Sequence, residues 1–260
     1  MKSTTRGRLL GGLLALLPLP AVGHDGPGHD HPPRPVPDAE AHRPTGIPDR
    51  IIRTFAGDPA RSIAVTWRTD GGVEKAVAQV APADAGPKFA ARAETIDATS
   101  TTLETDLGAA RYHSVVFGDL APSVTYAYRV GDGVNWSEWV HARTASDKAE
   151  PFTFLYFGDA QNDLKSLWSR VIRGAFSDAS KARFIVHAGD LVNRANRDAE
   201  WGEWFGAGGW VNAMIPSVPS PGNHEYERPK ARPGPPPRPR PSSPATGARS
   251  SRSPRTGPRA

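Results

Sequence analysis

Three short apolar runs, each closed by a glycine and an oxygen-bearing side chain, constrain the fold of this chain more than any other feature. The runs "FTFLYFGD" and "ARFIVHAGD" end at Asp159 and Asp190, and the shorter "IPSVPSPGNHE" reaches Asn223. Continuous apolar runs of this length, bounded by turns, are typical of strands that are buried on both faces. Apolar residues between the first two runs recur at helical spacing: Leu164, Leu167, Trp168, Val171, Ile172 and Ala175. A second helical face lies between the later runs: Trp201, Trp204 and Phe205. The order β-α-β-α-β predicts parallel strands with right-handed crossovers.

The preceding residues, 47–145, follow a different period. Apolar and polar residues alternate in "SIAVTWRT" and "APSVTYAYRVG", while "RYHSVVFGDL" and residues 136–144 predict two further strands. Short strands separated by Gly, Pro and Asp turns are typical of an antiparallel β-sandwich. Tyr126, four residues after Pro122, suits the hydroxyl-to-backbone hydrogen bond of a tyrosine corner. Three other side chains of this region are predicted to be structural rather than ligands: Trp67, His113 and His141.

The two ends of the chain have compositions that do not favour a packed core. A positively charged start, an apolar run over 9–17 and a small-residue pattern ending at Gly23 predict a signal peptide over 1–23, and hence a periplasmic or secreted product. Residues 24–46, rich in Pro and His, are predicted to be a linker. Residues 228–260 contain no aromatic residue and no aliphatic residue larger than Ala, and are predicted to be a disordered tail.

Charge and cysteine content exclude several classes of function. The net charge is +5, but nine Arg or Lys residues and no acidic residue lie in 228–260, so the rest of the chain is negative. The sequence therefore predicts no specific nucleic-acid partner for the body of the protein. The chain has no cysteine, which excludes disulfides, thiolate metal ligands and a cysteine nucleophile. The apolar run at the start is too short to span a membrane. Oligomeric state is left open.

The strand ends carry the candidate chemistry. In sheets of parallel strands, ligands bind beyond the carboxyl ends of the strands. Here these ends carry Asp159, Asp190 and Asn223, each directly after a glycine that allows the chain to turn sharply. One Gly-Asp after a strand is a common turn. Three in register, each separated by one βα unit, predict a shared metal site.

These motifs resemble those of the metallophosphoesterase (calcineurin-like) superfamily, in which Asp-x-His or Asp-x-Gly, Gly-Asp and Gly-Asn-His-Asp/Glu follow successive strands. Within it, the chain is most similar to the purple acid phosphatases, because segments 66–69, 126–131 and 136–139 resemble their N-terminal domain. The resemblance implies a multidomain fold, with a fibronectin type III-like antiparallel β-sandwich over 47–145. A partial α/β metallophosphoesterase sheet would follow over 151–227.

The resemblance also implies roles for individual residues. Asp159 would bind a first metal ion, Asp190 would bridge two ions, and Asn223 would bind the second through its amide oxygen. His224 would lie beside the substrate as an acid or charge stabiliser. The cofactors implied are two metal ions (iron, zinc or manganese), with no organic cofactor. The implied reaction is hydrolysis of a phosphate monoester of a small molecule by a hydroxide that bridges the two ions.

The chain departs from the family pattern at three places. Asn193 stands where the purple enzymes have a tyrosine, so no purple colour is expected, and it remains a candidate ligand. Gln161 stands where the wider superfamily has a histidine; it either binds a metal weakly through its amide oxygen or lines the cleft. The family takes three more histidines from later strands, but no histidine follows His224 here. We therefore expect that the reading frame or the gene is broken shortly after Tyr226, with a native disordered arm as the alternative, and that the chain has little or no turnover.

Two alternatives stay open at this point. The chain could instead be a non-catalytic extracellular binding module in which only the sandwich is functional. The basic tail could be an arm for polyanions, although it has no aromatic residue for stacking on bases.

Overall fold

The computed structural model describes residues 34–226. The predicted signal peptide, the first ten residues of the predicted linker and the predicted tail lie outside the described residues. The strands, helices and contacts that follow belong to one compact unit that begins at Asp38. Within residues 34–226, no helix is both long enough and apolar enough to cross a membrane.

The first part of the fold is a sandwich of two four-stranded antiparallel sheets. The strands are β1 (Asp49–Thr54), β2 (Ile63–Asp70), β3 (Val77–Pro82), β4 (Glu94–Asp97), β5 (Thr99–Thr105), β6 (Gly108–Phe117), β7 (Thr125–Gly131) and β8 (Val140–Arg143). Their orders are β1-β2-β6-β5 and β4-β3-β7-β8. A short helix, α1 (Asp38–Ala41), precedes the sandwich, and a 3-10 helix (Pro87–Arg92) lies between β3 and β4. The predicted antiparallel β-sandwich is confirmed.

The core of the sandwich contains the residues that alternate in the sequence. Trp67 of β2 and Tyr128 of β7 are fully buried in one apolar cluster between the sheets. The hydroxyl of Tyr126 accepts a hydrogen bond from the backbone N–H of Ala121 at 2.9 Å, so the predicted tyrosine corner is confirmed. Buried His113 lies between the hydroxyls of Thr69 and Ser100 and acts as a strand side chain, as expected.

The strand predicted over 136–144 is shorter than expected, and the reason is local. Only Val140–Arg143 forms β8, and Trp136 makes a single isolated bridge to Gly131. Trp136 and Trp139 instead lie against the guanidinium of Arg129, whose central carbon is 4.2 and 4.7 Å from the two ring centroids. Cation–π packing of this kind competes with strand pairing for the orientation of both indole rings.

The second part is a three-stranded parallel sheet with helices between its strands. The strands β9 (Leu155–Phe157), β10 (Ile185–Ala188) and β11 (Ser217–Ser220) lie in the order β11-β10-β9, with Ile185 paired to Leu155 and Ser217. Helices α2 (Ser169–Asp178), α3 (Asp198–Gly208) and α4 (Trp210–Met214) fill the crossovers. The predicted β-α-β-α-β order with parallel strands is confirmed, and α4 is an addition. The predicted burial of the strands on both faces is wrong, because Tyr156 of β9 is 66% exposed and Val218 of β11, at the same level of the sheet, is 40% exposed.

The helix after β9 differs from the predicted amphipathic pattern. It opens with a π-helical turn, Leu164–Trp168, which continues into α2. Because a π turn holds more residues than an α turn, it rotates the following side chains relative to ideal 3.6-residue spacing. Trp168 and Ile172 are buried as predicted, but Leu167 and Val171 are about half exposed, so the prediction was wrong for those two.

The two parts share a buried junction. Arg50 of β1 forms a bidentate pair with Asp198 at 2.7 and 2.8 Å, and Arg68 of β2 reaches the same carboxylate at 3.0 Å. All three side chains are at most 5% exposed. The hydroxyl of Tyr128 donates to the carbonyl of Ala213 at 2.7 Å, which ties α4 to the sandwich. This junction explains why β2 is buried on both faces rather than on one.

Candidate active site at the strand ends

The carboxyl ends of the three parallel strands carry the predicted site residues. Asp159 follows β9, Asp190 follows the central strand β10, and Asn223 follows β11. The backbone N–H of Asp159 donates to the carbonyl of Gly189 at 3.3 Å, and Asp190 Oδ1 accepts from the N–H of His224 at 3.1 Å. Asp159 and Asn223 are exposed, while Asp190 and His224 are half-buried. All four residues therefore lie on one solvent-accessible edge of the sheet.

Both aspartates have a strained backbone. Asp159 has φ of 52° and Asp190 has φ of 51°, in the left-handed region that residues other than glycine rarely occupy. Aspartate tolerates this region better than most residues because its short side chain can form local hydrogen bonds. Such conformations concentrate at functional sites, where the surrounding structure enforces them. The strain therefore marks the same two positions that the sequence selects.

The loops after β10 and β11 are pressed together at two glycines. A Cβ atom on Gly189 would lie 2.7 Å from the Cα of Gly222, and a Cβ on Gly222 would collide with the backbone and carboxylate of Asp190. Gly189 also has φ of 88°. Glycine is thus required at both positions, because any side chain would push Asp190 away from the turn after β11 that contains His224.

Glu225 organises these loops, and the sequence analysis did not identify it as a site residue. Its Oε1 accepts from the N–H groups of Leu191 and Val192 at 2.7 and 3.2 Å, and its Oε2 from those of Asp190 and Gly222 at 2.9 and 2.7 Å. A carboxylate that accepts four backbone N–H groups forms strong, charge-assisted hydrogen bonds. Its position as the acid after Asn-His was the available signal, since loops at strand ends expose unpaired N–H groups.

His224 is held in a defined orientation. Its Nδ1 lies 2.8 Å from the carbonyl of Asn193, so Nδ1 carries a proton and donates it to that oxygen. The second ring nitrogen, Nε2, is left without a partner in the described part of the chain and can face a ligand.

The two uncertain ligand candidates adjoin this histidine. Asn193 Nδ2 donates to the backbone oxygen of Gln161 at 3.1 Å and to Asn162 Oδ1 at 2.8 Å, so this amide bridges the loops after β9 and β10. Gln161 Oε1 is buried and has no hydrogen-bond partner among the described residues. A buried acceptor without a partner carries a desolvation cost that a bound cation or water would relieve.

The donors at this edge fit a hard cation in part. Two carboxylates, the amide of Asn223 and the unpaired Gln161 oxygen are the ligand types that Mg²⁺ and Mn²⁺ prefer. Within the described residues, however, no three His, Cys, Asp or Glu side chains group closely enough to hold a metal ion. The strand ends therefore offer oxygen donors without a complete ligand set.

A second histidine lies below this edge in the core. His187 of β10 is 1% exposed, and neither of its ring nitrogens has a hydrogen-bond partner in residues 34–226. Phe157, Trp168 and Trp204 surround it, with ring centroids 5.1 to 6.3 Å away. Burial among these aromatic rings lowers its pKa from about 6.5 to about 4, because the charged form would lose its hydration.

Comparison with known proteins matches both parts of the chain. Residues 48–144 match the family described as purple acid phosphatase, N-terminal domain, and residues 152–249 match calcineurin-like phosphoesterase. The second match extends beyond the boundary predicted at 227, which stays a prediction. "Acid phosphatase type 7" of Danio rerio is 30% identical over 118 residues, which are 44% of this chain and 26% of that protein. The chain thus spans about a quarter of the length of this curated relative.

A solved structure has the same arrangement of elements. A purple acid phosphatase from yellow lupin (Lupinus luteus) seeds superposes with a TM-score of 0.60 at 16% identity, over 72% of this chain and 37% of that one. At this identity the likeness shows the fold, and the two matched families give the domain order. The chain therefore carries a domain of the purple acid phosphatase N-terminal family followed by a domain that matches the calcineurin-like phosphoesterases.

Proposed function

We propose that this chain is a metal-dependent phosphoester hydrolase of the acid phosphatase type, acting on phosphate monoesters at the ends of β9, β10 and β11. The observation that carries the proposal is the alignment of Asp159, Asp190 and the Asn223-His224 pair on one edge of a parallel sheet. The match of 152–249 to calcineurin-like phosphoesterases supports it. It also makes the alternative of a non-catalytic binding module the less favoured one.

In this proposal, the residues divide into cation ligands and a group that faces the substrate. Asp159, Asp190 and Asn223 would hold the metal ions, with Asp190, which follows the central strand, as the central ligand. Bound cations of this kind lower the pKa of water and offset the charge of a phosphate group. Iron, zinc and manganese are the candidate metals, and the oxygen donors favour manganese among them.

Glu225 positions the central ligand. Its four hydrogen bonds hold the backbone at Asp190 in the left-handed conformation, and the N–H of His224 holds one carboxylate oxygen. A ligand that is fixed before the cation arrives loses little conformational freedom on binding. Gln161 completes this proposal as a weak oxygen donor on the side of β9.

His224 is proposed to act on the leaving group. Its Nδ1–H is held by the carbonyl of Asn193, so the ring cannot turn away from the site. When Nε2 is protonated, it can donate that proton to the oxygen of the departing alcohol as the bond to phosphorus breaks. A protonated imidazole also stabilises the negative charge of the phosphate.

The test begins with metal binding, because cations held mainly by oxygen donors bind weakly and turnover by this chain is expected to be low. Mn²⁺ is titrated calorimetrically into the chelator-treated protein and into the Asp190→Asn variant. Asp97→Asn, an exposed position on β4, is the matched control. We expect Asp190→Asn alone to weaken Mn²⁺ binding by about tenfold or more. Equal affinity in all three proteins would remove the proposed ligand role of Asp190.

Activity is the second measurement. Hydrolysis of 4-nitrophenyl phosphate is followed with Mn²⁺, Zn²⁺ or iron added back, and His224→Gln is compared with Asp190→Asn. We expect hydrolysis only with metal, its loss in Asp190→Asn, and in His224→Gln a larger loss for substrates with poor leaving groups. Hydrolysis that survives metal removal would contradict the proposal.

We further propose that the protein is exported and acts on small phosphorylated molecules outside the cytoplasm. The charged and apolar start of the sequence supports this. Mass spectrometry of the mature protein from expressing cells tests it, with cleavage near Gly23 expected and an intact Met1 start counting against export.

A further inference from the structure

A second cavity lies at the end of the parallel sheet opposite to Asp190. It encloses about 580 Å³ between the sandwich and the α/β part. Its walls come from the end of β1, from the segment after β8, and from the residues that enter β10 and β11: 180–184 and 215–216. Cavities of this size, between two domains, are typical of small-molecule sites.

Arg53 on the wall of this cavity is a buried cation without a counter-ion. It is only 4% exposed, and its guanidinium donates to the backbone carbonyls of Met214 at 3.0 Å and Arg143 at 2.7 Å. Its Nε–H is buried and has no partner among the described residues. Within residues 34–226 no carboxylate pairs with it, and burial lowers its pKa to about 10. A buried guanidinium with unpaired donors is costly, so an anion nearby would be strongly favoured.

Four of the five other charged residues around the cavity have the same sign as Arg53. Arg143, Lys148, Lys181 and Arg183 line it, whereas its single acidic lining residue is Glu150. Glu150 is already paired with Arg183 at 3.4 Å. The lining thus has a large excess of positive charge, which in a partly enclosed space attracts anions more strongly than on an open surface.

An aromatic surface adjoins these cations. Phe55, Phe152 and Phe184 line the cavity, and the Phe184 ring centroid lies 5.9 and 5.7 Å from those of the other two. Phe152 is 60% exposed and Phe55 is 44% exposed. Apolar side chains that remain exposed beside a cavity favour a ligand with an apolar part.

We propose that this cavity binds a small aromatic anion, a carboxylate or a phosphate, whose charged group lies at Arg53 with Lys181 and Arg183 and whose ring packs against the phenylalanines. The cavity is formed by residues that precede β10 and β11, while the candidate active site follows these strands. The inference therefore does not rest on the proposed phosphatase activity.

The test uses three naphthalene probes that differ in charge: 2-naphthoate, 2-naphthylphosphonate and 2-naphthylmethylammonium. Binding to the metal-free full chain is followed by NMR of the ligands and by calorimetry. We expect at least one anion to bind with Kd below about 1 mM and the cation to bind at least tenfold more weakly. Comparing the two anions separates a carboxylate site from a phosphate site.

Variants locate the binding. Lys181→Gln/Arg183→Gln, at exposed positions, should weaken anion binding by about fivefold, and Phe152→Ala should weaken all three probes. Lys75→Gln, at an exposed lysine outside the cavity, should leave anion binding unchanged. Arg53→Lys keeps the positive charge but loses the planar guanidinium with its several N–H donors. If circular dichroism shows that this variant is folded, it should also bind the anions more weakly. The Lys181→Gln/Arg183→Gln variant tests the proposal whether or not Arg53→Lys folds.

Three results would overturn the proposal. They are failure of both anions to bind below about 1 mM, equal binding of the cation, and unchanged anion binding in the double variant. Loss of anion binding in His224→Gln, which removes the imidazole at the strand ends, would instead assign the probes to that edge, and would overturn the cavity as their site.

Discussion

Asp198 links the two parts of the protein, and its removal should destabilise both. In Asp198→Ala, Arg50 loses a bidentate partner at 2.7 and 2.8 Å and keeps the hydroxyl of Tyr112 at 3.0 Å and the backbone oxygen of residue 198 at 3.1 Å. Arg68 loses one contact but keeps Asp49 at 2.6 and 2.8 Å. The cost therefore falls mainly on Arg50, which becomes a buried charge without a carboxylate.

The expected magnitude follows from this asymmetry. Breaking a buried ion pair by removing one partner costs about 3–5 kcal/mol. Since Arg68 stays paired, we expect about 3 kcal/mol for Asp198→Ala, the lower end of that range. With a urea m-value of about 2 kcal/mol/M, the unfolding midpoint should fall by about 1.5 M. The matched control is Asp97→Asn, which breaks the exposed pair with Lys75 at 3.3 Å and should cost less than about 1 kcal/mol.

Urea unfolding of the full chain, followed by tryptophan fluorescence and far-UV circular dichroism, measures these shifts. A double variant tests the cause, because Arg50→Met in the Asp198→Ala background removes the uncompensated charge. We expect the double variant to be more stable than Asp198→Ala alone. The reasoning would be refuted if the unfolding midpoint of Asp198→Ala fell by no more than that of Asp97→Asn. It would also be refuted if the double variant were less stable than Asp198→Ala.

Three further predictions concern the α/β part. Because the pKa of His187 is about 4 when folded and about 6.5 ordinarily, the unfolded chain takes up its proton first, and stability should fall between pH 6.5 and 4 by about 3 kcal/mol. In urea titrations at several pH values, His187→Leu should reduce the dependence of the unfolding free energy on pH, whereas His141→Gln, at an exposed position, should leave it unchanged. An unchanged pH dependence in His187→Leu would show that His187 is not its cause. Glu225→Gln places an amide, which has only one acceptor atom, among four N–H donors, so we expect the free energy of unfolding to fall by about 2 kcal/mol. The backbone N–H of Leu191 should exchange faster with solvent hydrogen, and unaltered exchange would contradict this prediction. Gly222→Ala should weaken Mn²⁺ binding by displacing the adjoining carboxylate, and wild-type affinity would show that the loops can relax.

Local patterns in the sequence were sufficient for the main elements. Alternation in β2 and β7 predicted strands because side chains of a strand point to opposite faces, and the apolar runs predicted β9 and β10. The burial of these strands on both faces, which the runs also predicted, is wrong, because Tyr156 of β9 is 66% exposed. The glycines before Asp159, Asp190 and Asn223 predicted turns at the strand ends. The fold class and the family resemblance are confirmed, while the ligand roles of these residues stay predictions.

Other features depend on contacts between residues far apart in sequence. The π turn before α2, which left Leu167 and Val171 exposed, is a small difference in backbone geometry that apolar spacing alone does not reveal. Trp136 and Trp139 lie against the guanidinium of Arg129 instead of extending β8, and a sequence pattern shows the tryptophans without showing what they face.

The tertiary structure alone decided the environment of each polar group. Arg50 and Asp198 are 148 positions apart, and Glu225 meets the N–H groups of a loop 33 to 35 positions earlier. The spacing of apolar residues reflects only contacts within one helix or one strand. It can therefore predict which side chains face the core, but not which charged residues form ion pairs. The same limit applies to Arg53: its type and position were visible in the sequence, but whether its guanidinium would meet a carboxylate or only backbone carbonyls was determined by how the two parts pack together.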